Sequence, residues 1–176
     1  MGLNLKNLDD ITRKLMLEEI EHDKRNNALY ISQRLNAKGK TEYSKLLENA
    51  SANSDDTKLA YDLLNCMAEK EPRRKKDGTV SFASVPFNAN EILAEGEFNR
   101  FYIRALCLQV INEKKGRLRV YRAKRVSDPR PESEAKIGQF IDPNALLADL
   151  RTHPGIDTAL GLPAGPNSGL SIEIVM

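Results

Sequence analysis

Residues 98–111, FNRFYIRALCLQVI, are apolar on almost every side of a helix. A helix with no solvent face has to be covered all round. The rest of the chain must therefore supply neighbours for it on several sides, and this requirement constrains the fold more than any other feature. The ends of the helix are also marked. Asn88 suits the N-cap, Glu91 stands three residues on to close a capping box, and Phe87 and Ile92 hold the positions of a hydrophobic staple. Gly116 is the stop signal, with Lys114 and Lys115 beside the negative C-terminal end. The predicted helix spans 88–112, with Phe98, Phe101, Tyr102, Ala105, Leu106 and Val110 in the core. Gly96 within it suggests a close packing contact.

The segments available to cover this helix are of both kinds. Apolar spacing predicts helices over 8–23 and 41–50, and from Ser54 or Asp55 up to Pro72. Residues 28–35, ALYISQRL, fit a short strand or an extended arm. RRKKDG (73–78) reads as a basic turn, and TVSFASV (79–85) and RLRVYRAK (117–124) as strands. SDPRPESE reads as a loop, and DPNALLADLR as a short helix with Asp142 as N-cap and Pro143 first. GLPAGPNSG (161–169) is a turn-rich loop, and LSIEIV a closing strand. The fold class is α+β: a helical lobe over 1–72, then an α/β layer over 73–176 with a small mixed sheet on the long central helix, together one compact unit.

Of 176 residues, 40% are hydrophobic and 30% charged. That describes a real core under a well-solvated surface. No apolar run approaches the ~18 residues that span a bilayer, so no membrane association is expected. The first residues lack an apolar signal core. Cys66 and Cys107, the two cysteines, both lie in apolar helical patterns and read as reduced packing residues. A cytoplasmic location is the expectation that follows.

The formal net charge is only +2, yet residues 114–125, KKGRLRVYRAKR, hold seven Lys or Arg and no acid. If the strands 79–85 and 117–124 pair in parallel across the long helix, both starts lie at one end of a sheet. Arg73, Arg74, Lys75 and Lys76 would then join Lys114, Lys115, Arg117, Arg119, Arg122, Lys124 and Arg125. Tyr121 is the one aromatic in that set. Such a patch attracts an acidic protein surface or a nucleic-acid backbone. The same residues also fit a helix end and a guarded strand edge, and the acidic run 18–23 is able to neutralise part of them. Arg100 and Arg104 fall on one stripe of the long helix with Glu97. They fit either an internal ion pair or an anion clamp.

His22 and His153 are the only histidines, and neither has a Cys or His at ligand spacing, so no metal site and no cofactor are expected. Asp128, Glu132, Glu134 and Lys136 supply carboxylates and a Lys of the kind that serves a metal-dependent enzyme on phosphodiester or nucleotide substrates, although they sit in a Pro-rich loop. The leading expectation is a non-enzymatic assembly or interaction module, such as a subunit of a phage-like or mobile-element complex. It would contact a protein partner, another copy of itself or nucleic acid through the basic patch. The phosphodiester enzyme is the alternative.

Overall fold

A computed structural model describes residues 2–155 and 168–176; most of the 161–169 loop lies outside the described residues. The long helix α4 (Ala89–Glu113) is the centre. Its buried set includes all six core residues expected from the sequence. It packs against α1 (Asp10–Arg25), α3 (Asp56–Asp62) and α6 (Pro143–Thr152), while α2 (Ala37–Asn53) backs α1 and α3. The remaining side is closed by a three-stranded antiparallel sheet in the order β4-β3-β5, from β3 (Arg117–Arg122), β4 (Phe140–Ile141) and β5 (Leu170–Val175). One hydrophobic cluster runs from Leu15, Tyr43 and Leu59 through α4 to Leu118 and Ile172. The architecture is α+β, as the sequence indicates.

Several helix ends follow local chemistry. Asp9, Asn36, Asp55 and Asp142 each accept a hydrogen bond from an N–H of the first turn of α1, α2, α3 and α6. The end of α4 is also as expected, with Lys114 left-handed at φ 52° and Gly116 at φ 76° before β3 begins. Its start is not. Asn88 has φ −102° and ψ 19°, off the extended conformation that aims a capping side chain, and it makes no cap bond. Phe87 is 96% exposed, so no staple forms. At Gly96 a Cβ would meet nothing within 4 Å, so the expected close contact is absent.

The larger correction concerns strand pairing. The helix expected up to Pro72 ends at Asp62, and after a 3₁₀ turn (Leu64–Cys66) the chain runs extended through Pro72 as β1 (Lys70–Arg74). It then turns back as β2 (Val80–Ser84), antiparallel to β1. The turn is the reason. Gly78 N–H donates to Lys75 O, Lys75 N–H donates to Thr79 O, and Gly78 takes φ 84°. This is a type I turn followed by a left-handed glycine, a standard hairpin closure. β2 is thereby paired with β1. β3 pairs with β4 and β5, antiparallel in both cases. β2 and β3 belong to different sheets, so the parallel unit expected from the sequence does not form. A four-residue turn helix, α5 (Pro131–Glu134), lies where the sequence suggested only loop.

Candidate docking surface

The basic residues sort into three groups once their partners are identified. The first is on β3. Arg119 donates through Nε and Nη2 to Glu173 Oε1 at 3.0 and 2.8 Å. Lys6 Nζ reaches the other oxygen of Glu173 at 2.8 Å. Arg122 is paired with Glu134, and Lys124 with Glu95. The Arg117 guanidinium lies 3.7 Å from the centre of the Phe140 ring. Tyr121 is buried: its hydroxyl donates to Asn4 O at 2.7 Å and accepts from Lys6 N–H at 3.2 Å, and the Lys6 ammonium sits over its ring. Of the four cations in 117–124, Arg119, Arg122 and Lys124 are thus matched by carboxylates in space, and Arg117 lies on an aromatic ring. Burial opposes the charge on Glu173, but the hydrogen bonds from Lys6 and Arg119 hold its carboxyl below the usual range. Lys114, Lys115 and Arg125 remain exposed nearby.

The second group is inside the protein. Arg104 has a side chain 1% exposed. Its Nε donates to Glu19 Oε2 at 2.7 Å, and its two terminal nitrogens donate to the two oxygens of Asp23, each at 2.7 Å. Arg151 also donates to Glu19, at 3.0 Å from Nε. Arg100 Nε donates to Glu97 Oε1 at 3.2 Å and its Nη1 to His153 O at 2.8 Å. Of the two readings of these arginines, the geometry is that of internal ion pairs. The acidic run on α1 neutralises Arg104 and not the basic stretch. Burial works to raise the carboxyls of Glu19 and Asp23, yet the arginines beside them prevail and both lie below their ordinary values. Glu97 goes the other way: full burial outweighs Arg100 and pushes its carboxyl up.

The third group is the β1–β2 hairpin. Lys70, Arg73, Arg74, Lys75 and Lys76 are all exposed, and none has an ion-pair partner among the described residues. The hairpin projects from the body, with packing mainly between its own two strands. It is tied at its base by Arg34, whose Nε and Nη2 donate to the two oxygens of Glu71 at 2.6 and 3.3 Å. The bridge between Leu35 and Met67 holds the approach to it. Paired residues share a face. Glu71 with Ala83 and Arg73 with Ser81 make one face, on which Glu71 is buried. Lys70 with Ser84, Pro72 with Phe82 and Arg74 with Val80 make the other, and every one of these six is exposed. Phe82 is 70% and Val80 58% exposed. The outcome is an apolar strip, Pro72–Phe82–Val80, flanked by Lys70 and Arg74 and capped by Lys75 and Lys76.

The expected meeting of 73–76 with 114–117 does not occur, because the two clusters lead into different sheets. The carboxylates of the alternative do not converge either. Asp128 and Glu132 are exposed, Glu134 is held by Arg122, and Lys136 is half-buried without joining them. Among the described residues no three His, Cys, Asp or Glu side chains come together as metal ligands. His22 contacts Asp23 and His153 contacts Asp149. Burial pushes the Cys107 thiol well up, away from reactivity. Val80 and Phe82 were not among the residues that the sequence singled out. The signal for them is Asp77-Gly78 between two extended runs, the common hairpin pair. Comparison of the chain with protein-family models, with curated proteins and with solved structures finds no match.

Proposed function

We propose that this chain is a non-enzymatic interaction module that docks an acidic protein partner through the β1–β2 hairpin. The supporting observation is the contrast between the two basic segments. In and just after β3, Arg119, Arg122 and Lys124 each have a carboxylate of the same chain. On the hairpin, Lys70 and Arg74 flank an exposed apolar strip, with Arg73 on the other face and Lys75 and Lys76 at the turn, and none of the five has an ion-pair partner among the described residues. Cations left without internal partners raise the local potential and speed association with an oppositely charged surface. Exposed Phe82 and Val80 add the apolar contact that gives an interface its affinity. The capture of Glu134 by Arg122, with Asp128 and Glu132 left exposed, favours this reading over the phosphodiester enzyme.

The test is titration with fluorescein-labelled poly-L-glutamate, read by anisotropy. Replacing Arg73, Arg74, Lys75 and Lys76 together by Gln should weaken binding by about tenfold or more and flatten its salt dependence. Replacing the carboxylate-paired Arg119, Arg122 and Lys124 by Gln should change it by less than about threefold. Equal losses from the two sets, or none from the hairpin set, would overturn the proposal.

A further inference from the structure

The hairpin has two edges, and they differ. Glu69 with Val85 and Lys75 with Thr79 are hydrogen-bonded pairs, Val85 N–H donating to Glu69 O at 3.0 Å and Lys75 N–H to Thr79 O at 2.8 Å. Hydrogen-bonded and non-hydrogen-bonded pairs alternate in an antiparallel ladder. The pairs between them in the other phase are 70/84, 72/82 and 74/80, so their N–H and C=O groups point outward. On β1 the outward positions are Lys70, Pro72 and Arg74. Pro72 has no N–H to offer, and long cations flank it, which are two common ways of closing an edge to pairing. On β2 the outward positions are Val80, Phe82 and Ser84. None is charged or proline, and residues 79–85, TVSFASV, carry no charge at all. Among the described residues nothing pairs with the outer edge of β2. One edge of the same hairpin is closed and the other is left open.

Resting on the docking proposal above, we infer that the partner binds by strand addition: an extended acidic segment of another protein pairs with the outer edge of β2. The outward N–H and C=O groups of Val80, Phe82 and Ser84 supply the main-chain ladder. Val80 and Phe82 supply side-chain contacts on the open face, as in other cases of strand addition. The charge of the occupant follows from its surroundings. An incoming strand lies two strand spacings, about 10 Å, from β1. Arg74 and Lys70 stand on the same face as the open β2 positions, and Lys75 and Lys76 lie at the turn. A second copy fits less well. Two uncharged β2 edges would unite two unneutralised cation clusters in one sheet and bring no acid to either. A nucleic-acid strand offers phosphate acceptors to the N–H groups but leaves the outward carbonyls unmatched, and Phe82 is the only aromatic on that face.

The probe is a labelled synthetic peptide of about seven residues, the length of β2 with its flanks, alternating Glu and Val. Its control carries Lys in place of Glu. With the full chain, the Glu peptide should bind saturably and the Lys peptide should not. Amide exchange at Val80, Phe82 and Ser84 should slow in the complex. Ser84→Pro removes only an outward N–H and should weaken peptide binding by about tenfold, on the order of one to two hydrogen bonds. Val80→Pro gives a second reading should the first variant disturb the hairpin. Unchanged peptide affinity in both variants together with unchanged amide exchange overturns strand addition. Docking through charge would still stand if the Arg73, Arg74, Lys75 and Lys76 variant loses poly-L-glutamate. Sedimentation showing a dimer that Ser84→Pro dissociates makes a second copy the occupant and overturns the inference. So does displacement of the peptide by oligothymidylate at lower concentration than by poly-L-glutamate.

Discussion

Two buried carboxylates of similar type carry opposite consequences. Glu19 accepts from Arg104 and Arg151 and ionises more readily than in an unfolded chain; Glu97 is fully enclosed with one oxygen unpartnered and ionises less readily. With folded values depressed from about 4.5 and 3.8, Glu19 and Asp23 add stability above those values and lose it as pH falls through the folded ones. Glu97, raised above 4.5, has the opposite sign: its cost builds as pH rises past about 4.5 and is complete above its folded value. Urea denaturation at pH 7 should therefore find Glu19→Gln markedly more destabilising than Glu97→Gln. Arg104→Ala should lower stability by about 3–5 kcal/mol, since it strands two buried acids. Leu106→Ala, at a side chain with no exposed surface, should lower it by roughly 2–5 kcal/mol. Of these residues Leu106 was legible from helical spacing alone. That Arg104 needed an acid was also legible. That the acid comes from α1 was not, because a sequence states the need for a counter-charge and not its direction.

At the scale of elements, the two basic strands predict different responses. β3 is locked between β4 and β5 with its cations paired, so Arg119→Gln should cost a fraction of a kcal/mol of stability and leave poly-L-glutamate binding unchanged. The hairpin has almost no apolar burial, so its amides should exchange faster than those of β3 and well below the global unfolding free energy. Hydrogen exchange followed by mass spectrometry measures both. Phe82→Ser, at a residue 70% exposed, should leave thermal stability within about 0.5 kcal/mol while weakening partner binding. The helices were readable because capping residues and apolar spacing act within a few positions. Strand pairing was misjudged at one point. Residues 79–85 face two possible partners in the sequence, one across a short Asp-Gly turn and one across the 25-residue α4. The short connection wins because loop closure is cheaper and the turn residues fit it. With that pairing the proposed docking surface narrowed from the two basic clusters together to the hairpin alone.

For the whole molecule, α4 organises everything else, as its all-round apolar surface required. The identity of each neighbour was not readable: α1, α3, α6 and the β3–β5 sheet come from distant stretches of chain. Because acid-sensitive pairs join α1, α4 and α6, the chain should unfold as a unit on acidification. The far-ultraviolet circular dichroism melting point should fall as pH drops from 6 toward 3, below about 4.5 most steeply. Salt at neutral pH should change it little, because buried pairs are screened less than surface ones.

The Arg104 network also sets an order of assembly during synthesis. Glu19 and Asp23 precede Arg104 by 85 and 81 residues, and Arg151 follows Glu19 by 132. On a ribosome, α1 emerges carrying two acids whose counter-charges have not yet been translated. Its apolar face has no α4 to meet. The N-terminal helices must therefore wait, partly formed, for most of the chain to appear, and the closing strand β5 comes later still. A pause in translation placed before residue 104 would prolong the exposure of that half-built core, whereas one placed after residue 151 would fall when every arginine of the network is already in the nascent chain.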